Sequence, residues 1–143
     1  VITTLNIIEN KIKDLANANL FVETYKFGNF LDAISEKKLK YPILVADFGN
    51  GSFTKMFAKI TVIITVADRV LNDESNVLEV LSDRLQVARD VYTEMNNMKD
   101  ILEITASNFD PFFERSGDMI TGYVLTININ ILDVNCPIQL PKI

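Results

Sequence analysis

The chain contains no histidine among its 143 residues. That absence removes Ser-His-Asp and Cys-His nucleophile activation, histidine-based zinc sites and the usual general base near neutral pH. An enzyme built on this sequence would have to work with Asp, Glu, Lys or Tyr alone. Cysteine is almost as scarce. Cys136 is the only one, so no disulfide forms within the chain, and a reducing or redox-indifferent setting is expected. Nothing beside Cys136 in the sequence supplies a cation to activate its thiol. No apolar run reaches membrane-spanning length, because Lys59 and Asp68 bracket the longest one. Val1 to Asn19 carries Glu9, Lys11, Lys13 and Asp14 where an apolar leader would be needed, so no signal peptide is expected. A phosphate-binding loop is missing too. "FGNGSF" has two glycines but no Lys-Ser/Thr and no helix after it. "DFGNGS" shares letters with a kinase metal motif, without a catalytic loop upstream and in a chain far too short for a kinase. "NDESN" lacks the glycine and the closing glutamate of a calcium loop.

What is present bounds the answer from the other side. The length suits one domain spanning residues 1–143. Apolar residues make up 48% of the chain, enough to bury a real core and to exclude global disorder. The net charge is −5, from 14 basic and 19 acidic residues. An acidic balance argues against tight nucleic-acid binding, because phosphate neutralisation needs clustered Lys and Arg. It leaves DNA free to pass nearby without binding.

Periodicity gives the elements. "TTLNIIENKIKDLANAN" reads as a helix capped by Thr3 or Thr4, with Leu5, Ile8, Ile12 and Leu15 on one stripe. Leu20 to Phe27 reads as a short strand, and Asn29 to Lys37 as a short amphipathic helix with Phe30 and Ile34 inward. Tyr41 to Phe48 is an apolar strand, with Pro42 at its start or on an edge. "GNGS" reads as a hairpin turn. A long strand follows, with Met56, Ala58, Ile60, Val62, Ile64 and Val66 on one face. About 15 residues at roughly 3.3 Å each reach on the order of 50 Å, more than a domain this small needs. The hairpin from Phe48 to Phe57 is therefore expected to act as an arm, with Phe48, Asn50, Phe53, Lys55 and Phe57 as candidate contacts to a neighbour.

The strongest helix is "NDESNVLEVLSDRLQVARDVYTEMNN", capped by Asp73 or Ser75, with Leu78, Leu81, Leu85, Ala88, Tyr92 and Met95 inward. "DILEITAS" is a short strand, and "NFDPFFERSGDMITG" a connection into the last strand. That strand places Tyr123, Leu125, Ile127, Ile129 and Ile131 on one face, and Val124, Thr126, Asn128, Asn130 and Leu132 on the other. The order implies an α+β fold: an antiparallel (mixed) sheet with a long hairpin, packed against helices on one face.

One polar cluster stands out: Glu114, Arg115 and Asp118, directly after Phe112 and Phe113. A solvated loop explains it better than catalysis does, since no nucleophile or general base accompanies the charges. An interface is the stronger functional reading, because Phe109, Phe112 and Phe113 lie beside the charges. The same aromatics serve equally well as a lid on the domain's own core. No cofactor or metal is expected.

The order and spacing of these segments resemble the tail-terminator and neck-ring (head–tail completion) proteins of tailed bacteriophages, closest to those of crAss-like phages of Bacteroides-type hosts. The resemblance rests on "YPILVADF", on "ITVIITVADRV" ending at Asp68 and Arg69, and on the "SNVLEVLSDRLQVARDVYTEM" helix. It also rests on Phe112 or Phe113 with Glu114 and Arg115, on Gly122 before the last strand, and on Asn135, Cys136 and Pro137 at its end. It implies a non-enzymatic virion protein, assembled in the host cytoplasm. Such a protein forms a homo-oligomeric ring, six- or twelve-fold, in the neck or at the top of the tail. Its neighbours would be portal, neck or tail proteins, and DNA would cross the lumen without specific binding; no membrane partner is implied. Two other classes stand beside this one. The first is a non-catalytic adaptor or assembly-chaperone module binding one protein partner. The second is a small histidine-free enzyme using Glu114 or Asp118.

Overall fold

The computed structural model describes residues 5–36, 38–115 and 119–132. Thr3, Thr4, Asp118, Asn135, Cys136 and Pro137, which figure in the expectations above, lie outside them. The α+β expectation holds. The element order is α1 (Leu5–Ala18), β1 (Thr24–Phe27), α2 (Phe30–Ile34), β2 (Ile43–Phe53), β3 (Phe57–Arg69), α3 (Val77–Asn96), β4 (Leu102–Glu114) and β5 (Ile120–Leu132). The five strands form one mixed sheet in the order β1-β2-β3-β5-β4. Every neighbouring pair is antiparallel except β1 with β2. Parallel neighbours need a crossover, and α2 with its flanking loops supplies it.

The main core lies on one face of the sheet. There α1 inserts Ile8, Ile12 and Ala16, and α3 inserts Val87, Ala88, Val91 and Met95. They meet Leu44 and Ala46 of β2, Val62, Ile64 and Val66 of β3, and Leu125, Ile127, Ile129 and Ile131 of β5. Each fully buried Ile or Leu contributes roughly 1.5–3 kcal/mol relative to exposure. Tyr25 of β1 fastens the outer strand to α1, its hydroxyl donating to Glu9 Oε1 at 2.8 Å. Burial, with the adjacent Glu9 carboxylate, pushes the Tyr25 phenol above its ordinary range. A smaller second core lies on the opposite face, where Ile43, Val45, Ala67 and Ile120 pack beneath Phe30, Ala33 and Ile34 of α2 and its flanks. Asn29 caps α2, accepting from the Leu31 and Asp32 N–H groups.

Five expectations need correction. The turn is not at Gly49–Ser52. β2 runs on to Phe53, with a bulge between Phe48 and Gly51, and the chain reverses at Thr54–Met56. Thr54 makes that turn. Its N–H reaches the Phe57 carbonyl at 2.9 Å, and its Oγ1 accepts from the Phe57 N–H at 3.1 Å. Glycine serves the bulge instead: a Cβ on Gly51 would stand 2.4 Å from the Lys59 carbonyl oxygen.

The aromatic connection before the last strand is itself strand. β4 continues through Phe109, Pro111 and Phe113, in register with β5 from Leu125 to Thr121. Pro111 does not stop it, because β4 is an edge strand and the missing N–H costs no bond toward a further neighbour. Gly122 does not open β5 but lies within it, where a Cβ would fall 1.8 Å from the Val66 carbonyl oxygen.

The inward stripe of α3 is turned by one residue. Val80, Arg84, Val87, Ala88, Val91 and Met95 are buried, whereas Leu78 is 81% exposed. Neither Asp73 nor Ser75 caps α3. Asp73 Oδ1 accepts from the Ser75 N–H, and Asn76 Oδ1 accepts from the Leu71 N–H, tying the loop back instead. Hydrogen bonds from the Ser75 hydroxyl and the Ser75 N–H hold the exposed Asp73 carboxyl below its usual range.

Candidate functional site

Two sequence-marked regions and one unmarked region concentrate exposed apolar surface. The first is the run from Phe112 to Arg115. Phe112 turns inward, edge-on to Phe30 with centroids 5.4 Å apart, and closes the second core. Its carbonyl accepts from Thr121 Oγ1 at 2.7 Å. Phe113 points the other way and lies under the Arg115 guanidinium, 4.1 Å from Cζ to ring centroid. Arg115 Nε also reaches Glu74 Oε1 at 3.4 Å, within the same chain. Both side chains are largely exposed, so this pair is worth at most about 1 kcal/mol. The geometry thus makes Phe112 a lid on the chain's own core and gives Arg115 a local partner. Glu114 is half-buried and pairs in the ladder with Ile120. Asp118 lies outside the described residues.

The second region is the hairpin. Phe48 belongs to the main core and sits against Phe27 at 5.7 Å, and Phe57 is half-buried. Beyond them the surface opens. Asn50 and Lys55 are exposed, Phe53 is 92% exposed and Met56 57%. This is not a free two-stranded arm. β5 accompanies β3 as far as Leu132 opposite Phe57, and β4 begins at Leu102 opposite Ile131. Among the described residues, the outer edge of β2 from Asp47 to Phe53 also lacks a strand beside it, because β1 ends with Phe27 opposite Ala46.

The third region carries no sequence motif. α1 covers the β1–β2 side of the sheet, and α3 covers β3, β5 and the start of β4, where Leu102 is buried; β4 at Ser107 and Phe109 is left uncovered on that face. A slot of about 480 Å³ results. Its wall is the flank of α3 with Leu85, Arg89 and Tyr92, its floor is Leu125, and its far side is Ser107 and Phe109 of β4. Phe109 is half-exposed there and stands edge-on to Tyr123 at 5.6 Å. Comparison with known proteins returns no matching family and no matching curated protein. Function must therefore be argued from these surfaces.

Chemically the slot can seat apolar side chains. Among the described residues, no group of three or more His, Cys, Asp or Glu is placed to hold a metal ion. No helix among them is long and apolar enough to cross a membrane. Among the described residues the most buried charge is Arg84 on α3, only 2% exposed. It donates through Nη1 to the Phe21 carbonyl at 2.8 Å, and its Nε has no partner. Desolvation pulls its pKa down against the opposing field of Asp68 and Asp83. It anchors the turn after α1, which presents Leu20 (96% exposed) and Phe21 (60%). The slot was missed in the sequence, yet one signal was there. The apolar arc of α3, from Leu78 through Val80, Leu81, Leu85, Val87 and Val91 to Tyr92, is wider than one buried stripe requires.

Proposed function

We propose that the chain is a structural virion protein that assembles into a homo-oligomeric ring. That ring, six- or twelve-fold, sits in the neck or at the top of a phage tail, between portal side and tail, around the DNA channel. One observation carries this reading. The molecule presents two unlike apolar surfaces at different places: the hairpin tip with Phe53 and Met56, and the slot between α3 and β4. Unlike surfaces make head-to-tail contacts, and head-to-tail contacts close into rings when the rotation allows. The acidic balance of −5 suits a lumen through which DNA slides rather than sticks. The order of segments, and its resemblance to neck-ring proteins, supplies the place in the particle.

A second reading is favoured by the slot alone: a non-catalytic adaptor whose slot takes one helix or strand of a partner. Sedimentation and native mass of the purified chain, with electron microscopy of the product, separate the two. Closed rings of defined subunit number are the expected result. A chain that stays monomeric at all accessible concentrations and at moderate salt would remove the ring reading and leave the adaptor.

A further inference from the structure

We infer that the slot between α3 and β4 receives the Leu20–Phe21 turn of a second copy of this chain. This rests on the self-assembling reading above and specifies one of its contacts. Among the described residues, Leu20 and Phe21 are the only two large apolar residues adjacent in the chain that are both exposed, at 96% and 60%. The turn is held in place. The Phe21 N–H donates to Asn19 Oδ1 at 2.9 Å, and the Phe21 carbonyl accepts from Arg84 Nη1 at 2.8 Å. Val22, next in the chain, packs against the main core. Burying an arginine whose Nε has no partner costs stability, and here it fixes an apolar turn that its own chain does not cover. A fixed turn loses little freedom when it docks.

The turn and the slot lie on opposite flanks of α3. Leu85, Arg89 and Tyr92 line the slot, whereas Asp90, Val91 and Glu94 face Leu15, Ala18 and Asn19 on the other flank. The helix stands between a chain's turn and its own slot, so the contact is between copies. Each copy brings one turn and one slot, which is the head-to-tail arrangement that a ring needs.

Charge selects this occupant over the hairpin tip. Among the described residues, Arg89 is the one charged residue lining the slot. The carboxylates of β4 do not offset it, because Glu103, Asp110 and Glu114 pair with Asn130, Val124 and Ile120 on the opposite face of the sheet. The hairpin tip brings Lys55 and Lys59, of the same sign as Arg89. From Asp14 to Glu23 the chain carries those two carboxylates and no basic residue, and the neighbouring flank of α3 adds Asp90 and Glu94. Arg84 beneath the turn is buried, in the opposing field of Asp68 and Asp83. An acidic turn therefore meets a slot with a basic rim.

The test mixes two full-length variants, one with a damaged turn, Leu20→Asp, and one with a filled slot, Ser107→Trp. Both positions are exposed, and circular dichroism matching the parent shows that the fold is kept; Phe109→Asp replaces Ser107→Trp if the spectrum changes. Each variant alone should associate roughly 30-fold or more weakly than the parent, as loss of a central anchor does. Together they hold one intact turn and one intact slot, so native mass should show a dimer with one copy of each and nothing larger. Arg89→Glu should weaken association of the parent severalfold, with a smaller dependence on salt. Leu20→Asp chains that associate as the parent does, or a mixture that stays monomeric, would overturn this contact while leaving self-assembly standing. A parent chain that never associates would overturn both.

Discussion

Three truncations along one helix separate the observed packing of α3 from the leucine stripe that its sequence suggests. Leu78, Leu85 and Met95 are all large apolar residues on the same helix. Leu78 is 81% exposed, Leu85 is half-buried on the slot wall, and Met95 is 0% exposed. Met95→Ala removes buried atoms from the main core and leaves a cavity, at a cost of roughly 2–5 kcal/mol. Leu85→Ala shortens a side chain that already borders open space. At roughly 0.8 kcal/mol per buried methylene, and with half of the side chain wet, its cost is about 1 kcal/mol. Leu78→Ala should fall within roughly ±0.5 kcal/mol of the parent. For 143 residues the unfolding entropy near 60 °C is about 0.3 kcal/mol/K, so each kcal/mol moves Tm by about 3 °C. The three variants should then melt lower by roughly 7–15, about 3 and less than about 2 °C. Urea titration with matching m values is the assay, at protein concentrations low enough that the midpoint no longer depends on concentration, so that association adds nothing to apparent stability. Leu78→Ala costing as much as Met95→Ala would mean that α3 is rotated onto its leucines, and the slot would then not exist as described.

Gly122→Ala should abolish the fold or cost more than about 3 kcal/mol, because its Cβ would lie 1.8 Å from a backbone oxygen of β3 that has no room to retreat; circular dichroism and a melt decide it. Tyr25 titrates higher folded than unfolded, so the folded state holds the proton longer, and its contribution is complete below about pH 10 and fades as pH rises further. Tyr25→Phe should flatten the loss of stability as pH rises above about 10, and an unchanged slope there would show that other groups cause it. Arg115→Glu breaks an exposed local pair and should cost less than about 1 kcal/mol, and it should leave the proposed self-assembly unchanged; loss of assembly with an intact fold would make Arg115 an intersubunit residue.

The sequence by itself determined the class of fold, most of the elements and one face of the core. Period-two alternation put Val62, Ile64 and Val66 of β3 on the apolar face that is buried, and it put Leu125, Ile127, Ile129 and Ile131 of β5 together on one face, which the structure shows to be the inward one. Three-and-four spacing did the same for Ile8 and Ile12. It misjudged β4, where Asn108, Asp110 and Pro111 look like loop residues. An edge strand with one open side accepts such residues, since half its backbone groups and several of its side chains face water. It also misjudged the turn, because glycine marks either a reversal or a bulge, and only the pairing of Gly51 with Ile60 decides which. Only the tertiary structure decided which flank of α3 meets the sheet. A wide apolar arc can settle in more than one rotation, and the sheet chose the valines. It likewise decided that β4 would lie uncovered beside α3 at Ser107 and Phe109. A missing layer leaves no mark in a sequence: it depends on how many strands the helices span, and here two long helices meet a sheet of five strands.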